Sequence, residues 1–546
     1  MDRVKLLQQS SLEKIYLDWE ENTEELTHLS VLKNEKFSYQ IAYHGMVRYM
    51  RDTTKIVVDS PLAAFVTVRF VGNVPVSCTT RGEIDEFYER TAPGLFPDVL
   101  YPIENNTMDV LCGRWHSLWI TAELDGTVAA GTYPITVSFV SKEATVSKTM
   151  TVEVIDALLP EQDMIFTQWF HTDCLADYYK VPVFSEAHWE RIDQFMQTAY
   201  QNGINMILTP IFTPPLDTQV GHARTTVQLV DIEKDGDTYR FCFDKLRRFI
   251  ALAKKNHMRY FEMAHLFTQW GLEFTPNIMA TESGAVKRIF GWHVASEDPA
   301  YMHFLSQLLP ALDAVLKEEG IAEHTFFHIS DEPHTEHMER YMKLKKAVQA
   351  YLPGYEFIDA LSHFEYYQQG VVDHPIPSTD SIQPFIDHKV PELWSYYCCS
   401  QEKDVCNRFM SMPSYRNRMI GLQFFKYHVK GFLHWGYNFY NSALSLSHVN
   451  PFMVTDCIDT YQAGDAFSVY PGEDGPLESM RILIFYDALQ DVRALKLLAG
   501  YIGHDAVVRL IEKEAGMEIR FDQFPHDKHF LLRLRDAVNQ EIKKYL

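Results

Sequence analysis

From residue 165 onward, short apolar runs alternate with amphipathic helical stretches over roughly 300 residues. No other feature narrows the fold as far. A strand followed repeatedly by a helix needs crossover connections, and these build a parallel sheet with helices packed outside it. The strand-like runs are 165–173, 206–212, 259–267, 325–330, 356–361, 381–386, 393–399 and 431–439. Helical periodicity fills 185–202, 243–256, 299–319, 335–351 and 415–429, with Ser185 placed as an N-cap and Gly203 as a stop. This spacing predicts a (β/α)8 TIM-type barrel.

The preceding region reads differently. Between about 26 and 158, β-branched or alternating runs (37–43, 64–71, 133–140, 149–155) are separated by turn signals such as Val71-Gly-Asn-Val74 and Leu124-Asp-Gly-Thr127. Short strands at this interval predict a β-sandwich that supports the second domain. The tail is helical: 480–498 is amphipathic, and 525–546 has a helix start at Pro525. The expected domains are therefore a sandwich at 1–158, a barrel at 159–500 and a helical extension at 501–546.

A chain of 546 residues with a net charge of −23 is unsuited to a phosphate backbone or an anionic membrane surface. Met1 to Glu21 has no apolar signal core, and no run is long enough to span a bilayer. Eight scattered cysteines without metal spacing read as reduced, mostly buried thiols. Together these features predict a cytoplasmic protein with no nucleic-acid or membrane partner; a homo-oligomer is compatible with them.

A barrel should carry its chemistry where strands end. Six of the runs end in polar and aromatic residues. They are Trp169, His171 and Asp173; Thr213 to Asp217; His265, Gln269 and Trp270; Asp331 and Glu332; Trp394, Tyr396 and Tyr397; and His434, Trp435, Tyr437 and Asn438. Aromatics make up 13% of the chain, and flat rings suit the apolar faces of sugars. The centre is Phe327-His-Ile-Ser-Asp-Glu-Pro333, where two carboxylates end a buried run. A second acidic pair, Asp85-Glu86, reads as a polar surface turn.

Most retaining glycosidases use carboxylates from different strands, about 5 Å apart. Adjacent acids fit the substrate-assisted variant. One carboxylate protonates the leaving oxygen, and the other orients a 2-acetamido group whose own oxygen attacks the anomeric carbon. That scheme requires Glu332 protonated at rest beside an ionised Asp331.

Four stretches carry a resemblance to a known family: 327–333, Leu393-Trp-Ser-Tyr-Tyr-Cys-Cys399, Gly431-Phe-Leu-His-Trp-Gly-Tyr-Asn438, and Tyr470-Pro-Gly with Ser479-Met-Arg481. Over about 160–500 the chain resembles glycoside hydrolase family 123, the β-N-acetylgalactosaminidases, and their uncharacterised relatives. The resemblance implies exo-hydrolysis of β-linked N-acetylgalactosamine from an oligosaccharide or glycoconjugate, with retention and without a metal or other cofactor. It also implies that Asp331 positions the acetamido group and Glu332 is the acid/base. Tyr396 or Tyr397 is a candidate donor to the acetamido oxygen, and Trp435 or Trp292 a candidate floor for the ring. Asp173, His265, Gln269 and Asn438 are candidates for hydroxyls, with Trp169, His171, His328 and Tyr437 at the same rim. Three alternatives remain: a metal bound by His328, Asp331, His334 and His337; a non-catalytic sugar-binding protein; and a glycosidase for another sugar.

Overall fold

The computed structural model describes residues 4–46 and 53–546 and is a mixed α/β structure with several sheets. The first three residues of the N-terminal segment read above lie outside the described residues. Val4–Ser10, from the same segment, is a strand antiparallel to Lys36–Gly45.

The N-terminal region holds two five-stranded sheets. Tyr39, Ile41, Leu118 and Ile120 of one sheet share an apolar core with Ile135, Val137, Val152 and Val154 of the other. Period-2 alternation places these residues on facing surfaces. Trp115 and Trp119 point the other way and join the large core of the α/β region. The strand Trp115–Glu123 is therefore buried on both faces. Val71-Gly-Asn-Val74 lies inside the strand Val66–Val76 as a register shift between Gly72 and Asn73, a bulge instead of the expected turn.

Beyond residue 160, eight strands among the described residues form two parallel ladders. They are β1 (Ile165–Gln168), β2 (Met206–Thr209), β3 (Tyr260–Met263), β4 (Thr325–Phe327), β5 (Glu356–Ala360), β6 (His374–Ile376), β7 (Trp394–Tyr396) and β8 (Gly431–His434). One ladder runs β2-β3-β4-β5-β6 and another β1-β8-β7. Backbone bonds also join β6 to β7, with Thr379 N donating to Tyr396 O at 2.9 Å. At the other junction Asn205 N donates to Phe166 O at 3.1 Å.

The sixth strand departs from expectation. The apolar run at 381–386 is a short helix, Gln383–Asp387, and the strand lies earlier at His374–Ile376. Pro384 cannot donate to a ladder but suits a first helical turn. The helices Glu186–Gln201, Asp244–Lys255, Pro299–Glu318, Met338–Gln349 and Ser414–Lys426 fall where the periodicity placed them. Ser185 caps the first of these by accepting from His188 N. His334 and His337 flank a single turn that leads into Met338–Gln349.

Buried ion pairs tie the two regions together. Arg481 donates to both oxygens of Asp98 at 2.9 Å, and Arg416 Nη1 to both oxygens of Asp85 at 2.9 Å. The acidic pair does open an exposed turn at Glu86 and Phe87, as expected, but the Asp85 carboxylate points inward and neutralises a fully buried arginine. The last helix, Phe530–Lys543, starts five residues after Pro525 and returns to the N-terminal sheets, where Asn539 Nδ2 donates to Ser30 O at 2.8 Å. The cysteines are free: Cys78, Cys174, Cys406 and Cys457 are buried, Cys398 and Cys399 half-buried, and Cys112 and Cys242 exposed. Among the described residues no helix is long and apolar enough to cross a membrane.

Candidate active site

The β4 ladder stops at Phe327, but the chain stays clamped. Leu266 N donates to His328 O at 3.1 Å and Phe267 N to Ile329 O at 3.1 Å. Ser330 Oγ donates to Thr268 O at 2.9 Å. Trp270 N then donates to Asp331 O at 3.0 Å, and Glu332 N to Ala360 O at 3.1 Å. The acid pair is therefore held between the segment after β3 and the end of β5. Glu332 has a φ of 46°, a left-handed conformation that costs a non-glycine residue of order 1–3 kcal/mol. Asp217 (φ 39°) and Trp270 (φ 58°) share this property. Three residues around one cavity carry strain that the surrounding bonds must hold in place.

Directly beneath lies a buried charged cluster. His328 Nε2 is 2.9 Å from Glu262 Oε2, and Nδ1 is 3.3 Å from Asp359 Oδ1. Burial alone would lower the His328 pKa, but the two carboxylates outweigh it and raise it to about 9. His328 is thus an imidazolium balancing two acids. Trp169 Nε1 donates to Glu262 at 3.1 Å, and Tyr341 OH to Asp359 Oδ2 at 2.5 Å. His265 stacks on His328 at 4.2 Å, and burial with that charge holds its pKa well below the usual value. His265, His328 and Asp359 offer ligand atoms within 4.8 Å of one another. A cation there would meet a charged imidazole whose two nitrogens already face carboxylates, so the donor set does not fit one.

Above this foundation a cavity opens, with about 560 Å³ of empty space including its open mouth. Trp169, Gln269, Asp331, Glu332, Tyr396 and Trp435 converge there from the ends of five strands, β1, β3, β4, β7 and β8. Leu216, Asp217, Trp270, Ala360, Cys398, Cys399, Leu433 and Tyr461 complete the lining. Tyr396 OH donates to Glu332 Oε1 at 2.6 Å. Tyr461 OH donates to Asp217 Oδ1 at 2.8 Å, and Trp435 Nε1 to Asp465 Oδ2 at 2.8 Å. Gln269 Oε1 accepts from Asp217 N at 2.7 Å, which leaves Gln269 Nε2 buried without a partner.

Burial and the Glu332 charge, with smaller contributions from Asp359 and Asp217, push Asp331 well above the usual carboxylate range. Burial also raises Asp217. Three carboxylates in one cavity favour a ligand that develops positive charge. Asp331 thus resists ionisation, whereas the sequence reading had it ionised at rest.

Other expected residues stand outside the lining. Asp173 makes two bonds to Arg224, at 2.7 and 2.6 Å. His171 accepts from Arg224 Nη2 at 3.0 Å and donates through Nε2 to Trp435 O at 2.8 Å. Burial followed by the Arg224 charge lowers its pKa to about 3, which keeps it neutral for this arrangement. Asn438 brackets the His171 backbone, accepting from its N at 2.8 Å and donating to its O at 3.0 Å. These three side chains brace the Trp435 wall. Tyr437 OH donates to Phe195 O, Tyr397 is buried, and His265 and His328 lie below the floor. Trp292 lines an adjoining groove. Of the unanticipated lining residues, Asp217 and Trp270 were legible as strand-end residues without a role. Tyr461 sits in an irregular segment with no local signal.

Residues 169–498 match the model of the glycoside hydrolase 123 catalytic domain. A family 123 glycoside hydrolase from Clostridium perfringens, studied for glycolipid glycan hydrolysis, superposes with a TM-score of 0.76 at 13% identity, covering 99% of this chain and 98% of that one. At that identity the likeness shows a shared fold. The Parabacteroides merdae β-glucuronidase scores 0.31 at 11% identity (89% of this chain, 52% of that one). An endo-β-1,4-mannanase from Thermotoga petrophila scores 0.34 at 10% (62% and 78%). No curated protein matches the chain.

Proposed function

The chain belongs to glycoside hydrolase family 123 and is a glycoside hydrolase; from that premise we propose that it removes terminal β-linked N-acetylgalactosamine, or a related N-acetylhexosamine, by substrate-assisted catalysis with retention. One observation carries this reading. Asp331 and Glu332 are adjacent on one wall of the cavity, and Tyr396 OH is fixed on Glu332 at 2.6 Å. Asp217, after β2, is a third carboxylate in the lining, but its two oxygens are taken up by Tyr461 OH and Leu444 N, a bracing arrangement and not that of a free nucleophile.

In the proposed reaction the 2-acetamido N–H approaches Asp331. That contact, and the positive charge building on the sugar, favour an ionised Asp331. Its proton then passes to Glu332. Glu332 protonates the leaving oxygen while the acetamido oxygen attacks the anomeric carbon. An oxazolinium forms, and the leaving alcohol departs. Glu332, now a base, takes a proton from water attacking the same face, which restores the acetamido group and retains the configuration. Tyr396 steadies Glu332 and then the acetamido oxygen, and Trp435 with Trp169 walls the ring.

In the same reading the two N-terminal sheets form a β-sandwich (1–158). The eight parallel strands form a (β/α)8 barrel (159–500), followed by a helical extension (501–546). The test is a panel of aryl α- and β-glycosides with and without the 2-acetamido group. Hydrolysis confined to β-linked 2-acetamido sugars supports the proposal; equal hydrolysis of 2-hydroxy sugars rules it out.

A further inference from the structure

The cavity wall contains two adjacent thiols that the proposed reaction leaves unused. Cys398 and Cys399 both line the space that holds Asp331 and Glu332, and both are half-buried. We propose that this pair is a redox modification site: a hydroperoxide oxidises it to a bridge between neighbouring residues, and the bridge switches hydrolysis off. The inference rests on the catalytic reading above and adds its regulation.

The two sulfurs are not equivalent. Cys399 Sγ accepts from Arg81 Nη1 at 3.9 Å, and the same guanidinium lies 5.8 Å from the ring centroid of Tyr461, another lining residue. A cationic neighbour is the usual setting of a reactive cysteine. Cys398 has no such neighbour, and its hydrogen bond with the Cys399 side chain, followed by burial, pushes its thiol well above the ordinary range. Cys399 is therefore the attacking sulfur and Cys398 the resolving one. The Cys399 sulfur attacks one oxygen of hydrogen peroxide. The O–O bond breaks, the other oxygen leaves as water with the thiol proton, and a sulfenic acid remains. The Cys398 sulfur then attacks the Cys399 sulfur. The S–O bond breaks, and the hydroxyl leaves as a second water with the Cys398 proton. Two thiols lose two electrons, and one peroxide gains them.

The bridge has consequences for the cavity. Neighbouring Cα atoms stand about 3.8 Å apart, below the roughly 4.4 Å at which ordinary disulfides begin. Closing the ring therefore twists the peptide that it spans, and the bridge stays easy to reduce. Cys398 is poorly placed to absorb the twist. Its N donates to Gln401 Oε1 at 2.9 Å, and its O accepts from Asn407 Nδ2 at 3.0 Å. The movement falls on Cys399, whose backbone N–H faces the Asp465 carboxylate. Asp465 in turn accepts from Trp435 Nε1 at 2.8 Å. Oxidation thus loosens the Trp435 wall, and it strains the segment that carries Tyr396 two residues upstream of Cys398.

The test uses a Cys112→Ser, Cys242→Ser background, which removes the exposed thiols. After hydrogen peroxide the intact mass should fall by two hydrogens, mapped to the peptide that carries Cys398 and Cys399. Over the same period kcat/KM on an aryl β-N-acetylgalactosaminide should fall at least about tenfold, and dithiothreitol should restore both. Adding Cys398→Ser should stop the reaction at a Cys399 sulfenic acid that dimedone captures. Adding Cys399→Ser should leave Cys398 untouched by dimedone. No bridge between Cys398 and Cys399, or a bridge without loss of kcat/KM, overturns the inference while leaving the catalytic reading intact. If the untreated protein hydrolyses no β-linked 2-acetamido glycoside, the catalytic reading fails and the mass change alone decides the modification site: a dithiothreitol-reversible bridge supports it, and its absence overturns it.

Discussion

The Tyr396 hydroxyl donates to Glu332 Oε1 at 2.6 Å and stands 3.3 Å from Ser362 Oγ. Tyr396 ends β7 and Glu332 follows β4, so two distant strands meet in one hydrogen bond. Burial and the Glu332 charge raise the Tyr396 pKa far above its ordinary value, which keeps the hydroxyl a donor throughout the working pH range. Tyr396→Phe should lower kcat by about 10- to 100-fold, the scale of one lost transition-state donor, with a smaller change in KM. Steady-state kinetics on an aryl β-N-acetylgalactosaminide checks this; a rise in KM alone would mean the hydroxyl only binds.

Glu332→Gln keeps an acceptor for Tyr396 but has no proton to give. Its kcat should fall about 10²- to 10⁴-fold on a disaccharide, the usual worth of general acid catalysis. The first step should fall far less on a dinitrophenyl glycoside, whose leaving group needs no proton. Pre-steady-state release of dinitrophenol separates the two. Equal losses on both substrates would remove Glu332 from the acid role.

The charged cluster below the cavity makes stability depend on pH. The His328 pKa is raised from 6.5 to about 9, so the folded state holds this proton more tightly than the unfolded chain does. The stabilisation is complete below 6.5 and is lost as pH rises through about 9. The Tm advantage of the wild type over His328→Gln should therefore shrink steadily across that window. A difference that is constant with pH would show that His328 is neutral in the fold.

The second acidic dipeptide supplies a contrast. Asp85→Ala leaves the fully buried Arg416 without its carboxylate, and breaking such a pair costs about 3–5 kcal/mol. Glu86 is exposed, and Glu86→Ala should change stability by no more than about 0.5 kcal/mol. Denaturation of the two variants checks this, and equal stabilities would mean that Arg416 finds another partner.

The alternation of strands and helices was legible because each element repeats its own period over many residues. Ser185 at a helix start and the acidic end of β4 were legible because their signals are local. β6 was misplaced because His374-Pro-Ile376 is three residues long, while the more apolar run at 381–386 imitates a strand. Asp173 was offered as a hydroxyl binder because nothing nearby in sequence announces Arg224, 51 residues on. Tyr461 was missed because its only signal is its bond to Asp217, 244 residues away. The raised pKa of Asp331 comes first from burial, which only the fold supplies, then from the adjacent Glu332, with Asp359 and Asp217 adding to it through the fold.

The most direct test of the central claim is inhibition by the thiazoline that mimics the cyclised N-acetylgalactosamine intermediate. The account predicts competitive inhibition with a Ki at least about a hundredfold below the substrate KM, as expected for a transition-state-like ligand, and no covalent labelling by a 2-fluoro glycoside. Indifference to the thiazoline, together with a carboxylate labelled by the fluoro sugar, would contradict substrate assistance by Asp331 and Glu332.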